Sequence, residues 1–221
     1  MIIGVIAEGH SDRAVITNIL TGLTGLGRND IWAIRPEYSK DETDKAKDPK
    51  TFSTWSVVKE ECEKREQIDA FLALEDQEFV VIHLDTAEAD QYGIHRPDKR
   101  QPDYGEQLRI LVINKINEWL KGNISGSILY AVAIEEMEAW LLPIYEKNKN
   151  SIKSAKPKEK FIRRLGQLGI DSTPDYKNYF ILSEPLSKKK SIGKDGLLNH
   201  NISLKAFYAE VQAKVLPKLK I

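Results

Sequence analysis

Residues 2–12, IIGVIAEGHSD, decide the fold of this chain. Small and branched apolar residues run without interruption and stop at Glu8 and Gly9, a pattern typical of a buried parallel strand that feeds a helix. Ser11 is a candidate N-cap for that helix, which the sequence predicts over 12–24. Glu8 would then lie at the carboxyl end of the strand, where open α/β sheets build their sites.

Two later apolar segments also end in acidic residues. Residues 79–84, FVVIHL, stop at Asp85, and residues 127–134, SILYAVAI, lead into a glutamate-rich turn at 135–138. Strands that alternate with helices of this length predict an α/β fold, with a mainly parallel sheet covered by helices on both faces. The other predicted elements are a strand at 31–35, a charged loop at 36–51, helices at 54–74 and 105–121, a loop at 86–104, helices near 139–142, 158–168 and 203–216, and a stretch at 171–201 without a clear pattern.

Composition limits the class of protein. A chain of 221 residues with 41% hydrophobic content can bury one substantial core with a small appendage. No apolar stretch approaches the ~20 residues of a membrane span, and the N-terminus lacks the basic region and cleavage site of a signal peptide. We therefore expect a cytoplasmic protein without membrane contact. The single cysteine, Cys62, has no partner for an internal disulfide and is expected to be inert on a helix.

Charge divides the chain into two predicted domains. The chain has 33 basic and 33 acidic residues, but residues 147–221 carry 17 basic and 6 acidic ones, which leaves 16 basic and 27 acidic in 1–146. We interpret 1–146 as an acidic metal-binding domain and 147–221 as a basic helical C-terminal extension packed on it. A solvated surface whose charges happen to segregate explains the same pattern.

The strand ends predict a carboxylate cluster, because the carboxyl ends of parallel strands lie along one edge of a sheet. Glu8 and Asp85 follow two such strands directly. Clustered carboxylates repel one another unless cations neutralise them, and oxygen-only ligand sets suit Mg²⁺ or Mn²⁺. Zinc is disfavoured, since the four histidines are dispersed and cysteine pairs are absent.

Further carboxylates could complete the ligand set. Either Glu88 or Asp90 would join Asp85, with the other one solvated. Asp12 could face the same edge, although an acidic residue in the first turn of a helix is also expected from the helix dipole. In the glutamate-rich turn, the predicted ligands are Glu135 and Glu138, which share a helix face, and Glu138 is preferred.

Two histidines lie near these segments. His83 falls inside a buried strand and is expected to be a hydrogen-bonded core residue. His10 follows the Glu8-Gly9 turn and is expected to face solvent.

Glu8-Gly9-x-x-Asp12 after the first strand, together with Asp85 after a later one, resembles the TOPRIM domain of topoisomerases, bacterial primases and nucleases of the overcoming-lysogenization-defect (OLD) group. Segment 138–141, Glu-Ala-Trp-Leu, is similar to small standalone prokaryotic TOPRIM-like proteins, some associated with phage defence. The resemblance covers about 1–146. It implies a Rossmann-related fold, acids that bind one or two Mg²⁺ for phosphodiester chemistry, and a second-metal role for Asp12.

The chain departs from this family at one position. The family has an Asp-x-Asp pair after the later strand, and here Ala87 replaces the second Asp. Glu88 or Asp90 would take its place, or one metal site is lost. The family also implies a C-terminal lysine near the metals, for which Lys188, Lys189 and Lys190 are equal candidates; a solvated loop is the ordinary interpretation of such a triplet.

The sequence therefore predicts a Mg²⁺- or Mn²⁺-dependent phosphodiesterase, a nuclease acting on DNA or RNA, with Glu8, Asp85 and the Lys188–Lys190 triplet as catalytic residues. It would contact the nucleic acid backbone, not the bases, because no aromatic residues interleave with the lysines. The alternative is a non-catalytic TOPRIM-like module that binds a partner protein, such as a defence ATPase or a second copy of the chain. A small-molecule phosphate binder has less support, since no Gly-rich phosphate loop is present.

Overall fold

A computed structural model gives the structure of the protein and describes residues 1–36, 54–122, 124, 126–147, 156–188 and 197–219. Four strands form one sheet: β1 (Ile2–Ile6), β2 (Ile31–Arg35), β3 (Gln77–Asp85) and β4 (Ile128–Ala133). The helices are α1 (His10–Thr24), α2 (Trp55–Lys64), α3 (Glu66–Leu72), α4 (Tyr104–Leu120), α5 (Glu138–Tyr145), α6 (Pro157–Gln167), α7 (Tyr176–Leu182), α8 (Leu197–His200) and α9 (Ile202–Lys214). Short 3₁₀ helices lie at Arg28–Asp30, Ala89–Tyr92, Glu184–Ser187 and Leu216–Lys218.

The sheet is parallel throughout, in the order β2-β1-β3-β4. The chain leaves β1 toward β2 on one side and later returns to β3 on the other side of β1. The boundary between β1 and β3 is therefore the switch point of the sheet, where open α/β proteins form a crevice at the carboxyl ends of the strands. This Rossmann-like arrangement confirms the predicted α/β fold.

Alternate residues of each strand are buried in two different hydrophobic clusters, one on each face of the sheet. Val5, Val81 and Ala131 face one cluster with α1, α5, α6, α7 and α9. Val80 and Ile82 face the other cluster, with α2, α3 and α4. Helices from the C-terminal part of the chain thus complete one face of the sheet, where Phe207 and Phe161 are fully buried.

The structure corrects several element boundaries. The helix predicted at 54–74 is two helices, because Arg65 adopts a left-handed conformation (φ 61°) between α2 and α3. The stretch at 171–201 contains α7 and α8. The first helix begins at His10 with Gly9 as its N-cap, so Ser11 lies inside the helix.

Most of the charged loop predicted at 36–51 lies outside the described residues. Cys62 is buried on α2, and burial raises the pKa of its thiol to about 12, as an inert thiol requires. Over the part of the chain described, no helix is long and apolar enough to cross a membrane.

Candidate functional site: the carboxylate edge

Two predicted site residues meet at the switch point of the sheet. The carboxylate of Glu8 accepts a hydrogen bond from the backbone N–H of Asp85, with 2.7 Å between Oε1 and N. The backbone N–H of Trp55, at the start of α2, also lowers the pKa of Glu8. The hydrogen bond from Asp85 ties Glu8 to the end of β3.

The pKa of Glu8 is raised from 4.5 to about 8. Burial is the largest cause, because the charged form loses water. The charges of Asp12 and Glu88 raise the pKa further, whereas the hydrogen bond from Asp85 lowers it. At neutral pH Glu8 is a carboxylic acid in equilibrium with its carboxylate, which is the state that general acid–base chemistry needs.

Asp12 joins the same cluster from the first turn of α1. The backbone N–H of Gly9 lowers the pKa of the Asp12 carboxyl group. A Cβ on Gly9 would lie 3.0 Å from Asp12 Oδ2, so glycine leaves room for the carboxylate to fold back over the turn. Burial raises the pKa of Asp12 to about 6, and the charge of Lys158 offsets part of that rise.

Asp85 completes the central group. Burial raises the pKa of Asp85 well above its ordinary value, and the charges of Glu8 and Asp12 add to this. Its Oδ1 accepts from the N–H of Ala87 at 3.3 Å, and its carbonyl accepts from the hydroxyl of Tyr92 at 2.8 Å. Glu8, Asp12 and Asp85 are thus three partly buried acids that disfavour one another's ionisation.

Glu138 lies within electrostatic reach of Asp12 and Asp85. It is buried at the start of α5, and its Oε1 accepts a 2.7 Å hydrogen bond from the hydroxyl of Tyr179 on α7. Burial raises the pKa of Glu138, and the charge of Asp12 raises it further. The neighbouring Glu136 accepts instead from the backbone N–H of Lys158, at the start of α6.

Two of the three remaining predicted ligands, Glu135 and Asp90, face cations of the protein itself. Glu135 forms ion pairs with Arg96 (3.5 Å) and Lys99 (3.1 Å). Asp90 is exposed and pairs with Arg96 at 3.3 Å. Glu88 is exposed, and its charge reaches Glu8.

The turn at Glu135 is strained and clamped. Its φ of 64° is unusual for a residue with a side chain and costs about 1 kcal/mol or more. Thr86 compensates from the neighbouring strand end: its Oγ1 accepts from the N–H of Glu135 at 2.7 Å, and its N–H donates to the carbonyl of Glu135 at 3.1 Å. The clamp fixes the ends of β3 and β4 relative to each other.

Of the three predicted C-terminal lysines, only Lys188 lies within the described residues. Lys188 pairs with Glu184 at 2.9 Å, beside Ser187, whose backbone packs against Gly22. Gly22 lies ten residues beyond Asp12 on α1, about 15 Å along the helix axis. Lys189 and Lys190 lie outside the described residues. The lysine that does influence the cluster is Lys158, whose charge lowers the pKa values of Asp12, Glu136 and Glu138.

Comparison with protein-family models, with curated proteins and with solved structures finds no match.

The donor set of the central group suits a hard divalent cation. Glu8, Asp12 and Asp85 offer only oxygen, and their mutual repulsion in a buried setting is what such a cation relieves. Within the described residues, however, no three Asp, Glu, His or Cys side chains already form a group that could hold a metal ion. A cation would have to draw these carboxylates closer together.

The two histidines do not contribute to this group. His83 is fully buried in β3, as predicted, but neither ring nitrogen has a hydrogen-bond partner among the described residues. Burial lowers its pKa to about 3, so the ring is neutral. His10 is the first residue of α1 and is partly exposed.

Sequence reasoning missed four residues at this edge: Thr86, Arg96, Lys158 and Tyr179. Each acts through a contact between segments that are distant in the chain, and none belongs to a recognisable motif. The length and polarity of the 86–104 loop were the only signals that pointed toward Arg96.

Proposed function

We propose that this protein is a divalent-metal-dependent phosphodiesterase, a nuclease that acts on the backbone of DNA or RNA. The observation that carries the proposal is the meeting of Glu8 and Asp85 at the switch point, with Asp12 beside them and with the pKa of all three raised. The resemblance of the Glu8–Asp12 segment to TOPRIM nucleases, and of 138–141 to small standalone TOPRIM-like proteins, supports the same chemistry.

Each residue has a role in this proposal. Glu8 and Asp85 would hold Mg²⁺ or Mn²⁺, with Asp12 and Glu138 as further ligands. Such a cation supplies the positive charge that offsets charge developing on phosphate oxygens. The pKa near 8 belongs to Glu8 without an ion, and a bound cation would favour the carboxylate that holds it.

Lys158 is the proposed phosphate-binding lysine. Its side chain is exposed at the start of α6, and its charge acts on Asp12, Glu136 and Glu138. A lysine in this position can bind a phosphodiester oxygen without reading the base. The sequence assigned this role to Lys188, Lys189 or Lys190.

The experiment that tests the proposal is cleavage of single- and double-stranded DNA and RNA in Mg²⁺ or Mn²⁺. Wild type is compared with Glu8→Gln, which keeps a hydrogen-bond acceptor for Asp85 N–H but removes the titrating group. Glu75→Gln, in the exposed turn before β3 at the opposite edge, is the matched control. Cleavage by wild type and by the control, lost in Glu8→Gln, supports the proposal. Cleavage that persists in Glu8→Gln, or its absence from wild type with every substrate, contradicts it.

A second candidate function is a non-catalytic module that binds a partner protein, such as a defence ATPase or a second copy of the chain. Ala87 in place of the second acid of the family pattern favours it, as does the lack of a ready-made three-ligand group in the described residues. Absence of cleavage, together with a partner that co-purifies in a fixed ratio, would support this function.

A further inference from the structure

Arg96 has a contact set unlike that of any other cation at the carboxylate edge. It lies in the connection from β3 to α4, and only 16% of its side chain is exposed. Its Nη2 donates to the backbone carbonyls of Thr86 and Ala87, at 2.6 and 2.7 Å. A guanidinium that binds two successive carbonyls holds the intervening peptide in one orientation.

That peptide controls Asp85. The N–H of Ala87 donates to Asp85 Oδ1 at 3.3 Å, so the orientation of the Thr86–Ala87 turn decides where this carboxylate points. Thr86 also clamps the strained turn at Glu135. Fixing Thr86 and Ala87 therefore fixes both strand ends that border the central acids.

The same guanidinium neutralises two acids. Its Nε lies 3.3 Å from Asp90 Oδ2, and its Nη1 lies 3.5 Å from Glu135 Oε2 and from the hydroxyl of Tyr104. A permanent cation already occupies the space between Asp90 and Glu135, whereas Glu8, Asp12 and Asp85 have none so close among the described residues.

We propose that Arg96 is the positioning residue of the carboxylate edge: it orients Asp85 through the Thr86–Ala87 turn and, by neutralising Asp90 and Glu135, leaves the central acids as the place for a divalent ion. The effect of Arg96 on ion binding rests on the proposed function. Its effect on the Thr86–Ala87 turn does not, and the two effects are measured separately.

The first measurement is amide hydrogen exchange, which needs neither metal nor substrate. In Arg96→Ala, the N–H groups of Thr86 and Glu135 are expected to exchange about tenfold faster or more, while that of Val81 in the middle of β3 keeps its wild-type rate. Arg100→Ala is the matched control, because Arg100 lies in the same loop, is 90% exposed and pairs with Asp98. Unchanged exchange at Thr86 and Glu135 would overturn the proposal.

The second measurement is Mn²⁺ binding by titration calorimetry. Wild type and Arg100→Ala are expected to bind one ion per chain, and Arg96→Ala is expected to bind it about 10- to 100-fold more weakly, as loss of a supporting contact does at metal sites. Arg96→Lys keeps the charge but lacks the planar fork, so it should recover only part of the affinity. Equal Mn²⁺ affinity in wild type and Arg96→Ala overturns the proposal. So does a second ion that wild type binds and that Glu135→Gln abolishes.

The outcomes separate the two ideas. Failure of wild type to bind Mn²⁺ contradicts the proposed function, and the exchange rates then still decide whether Arg96 positions the turn. Binding by wild type that is insensitive to Arg96→Ala leaves the proposed function intact and removes the role of Arg96. Far-UV circular dichroism and thermal unfolding of each variant identify any that fail to fold.

Discussion

Replacing Glu8 by glutamine should stabilise the protein at alkaline pH. The pKa of Glu8 is about 8 in the folded chain and near 4.5 once the chain unfolds. Between these values the unfolded state has lost a proton that the folded state keeps. The free energy of unfolding therefore falls as pH rises from 4.5 to 8, and the full shift is worth about 5 kcal/mol.

Glutamine carries no titrating proton, so the variant escapes this loss. It keeps a side-chain carbonyl that can accept from the N–H of Asp85. The variant and wild type should be equally stable near pH 4.5. At pH 8.5 the variant should be more stable by several kcal/mol, with about 5 kcal/mol as the upper bound.

Urea unfolding at pH 4.5, 6.5 and 8.5, in the presence of EDTA and followed by circular dichroism and tryptophan fluorescence, measures the difference. Glu75→Gln controls for the loss of a surface charge. If the difference in unfolding free energy between Glu8→Gln and wild type does not grow with pH, the pKa of Glu8 is not raised in the fold. A variant less stable than wild type at pH 8.5 would contradict the prediction as well. Repeating the series with 10 mM Mg²⁺ (about 10 mM suffices for a millimolar site) should stabilise wild type more than the variant.

Three further predictions concern other parts of the structure. His83 is neutral in the fold, with a pKa of about 3. Its contribution to stability is complete above pH 6.5 and is lost as pH falls toward 3. In His83→Leu the free energy of unfolding should therefore fall less between pH 6.5 and 3 than in wild type, as acid titration followed by circular dichroism can show. Gly22→Ala places a Cβ 2.5 Å from the carbonyl oxygen of Leu186, and calorimetry should record a destabilisation of about 1–3 kcal/mol; an unchanged melting temperature would contradict this packing. Lys158→Ala should weaken binding of single-stranded DNA in Ca²⁺ by about tenfold, whereas Lys188→Ala should leave it within about twofold of wild type, as fluorescence anisotropy would measure; the reverse order would return the phosphate-binding role to the C-terminal lysines.

Much of the sheet could be predicted because its signals are local. The apolar runs that became β1, β3 and β4 each end at an acid, and a parallel sheet brings such ends to one edge whatever the order of the strands. Hence Glu8 and Asp85 could be paired in advance. The break at Arg65 could not, because a left-handed residue between two amphipathic helices leaves their apolar periodicity intact.

The tertiary structure sets which acids at this edge are buried with a raised pKa and which are paired with a cation. Glu8, Asp12, Asp85, Asp90, Glu135 and Glu138 are alike as residue types and as followers of strands. Burial raises the pKa of Glu8, Asp85 and Glu138. Glu135 instead forms ion pairs with Arg96 and Lys99. The free energy of a buried charge depends on which groups surround it in space. The apolar runs and the acids that follow them predict a group of carboxylates at one edge of a parallel sheet. The packing of distant segments sets which of the described acids lie within ion-pair distance of a cation.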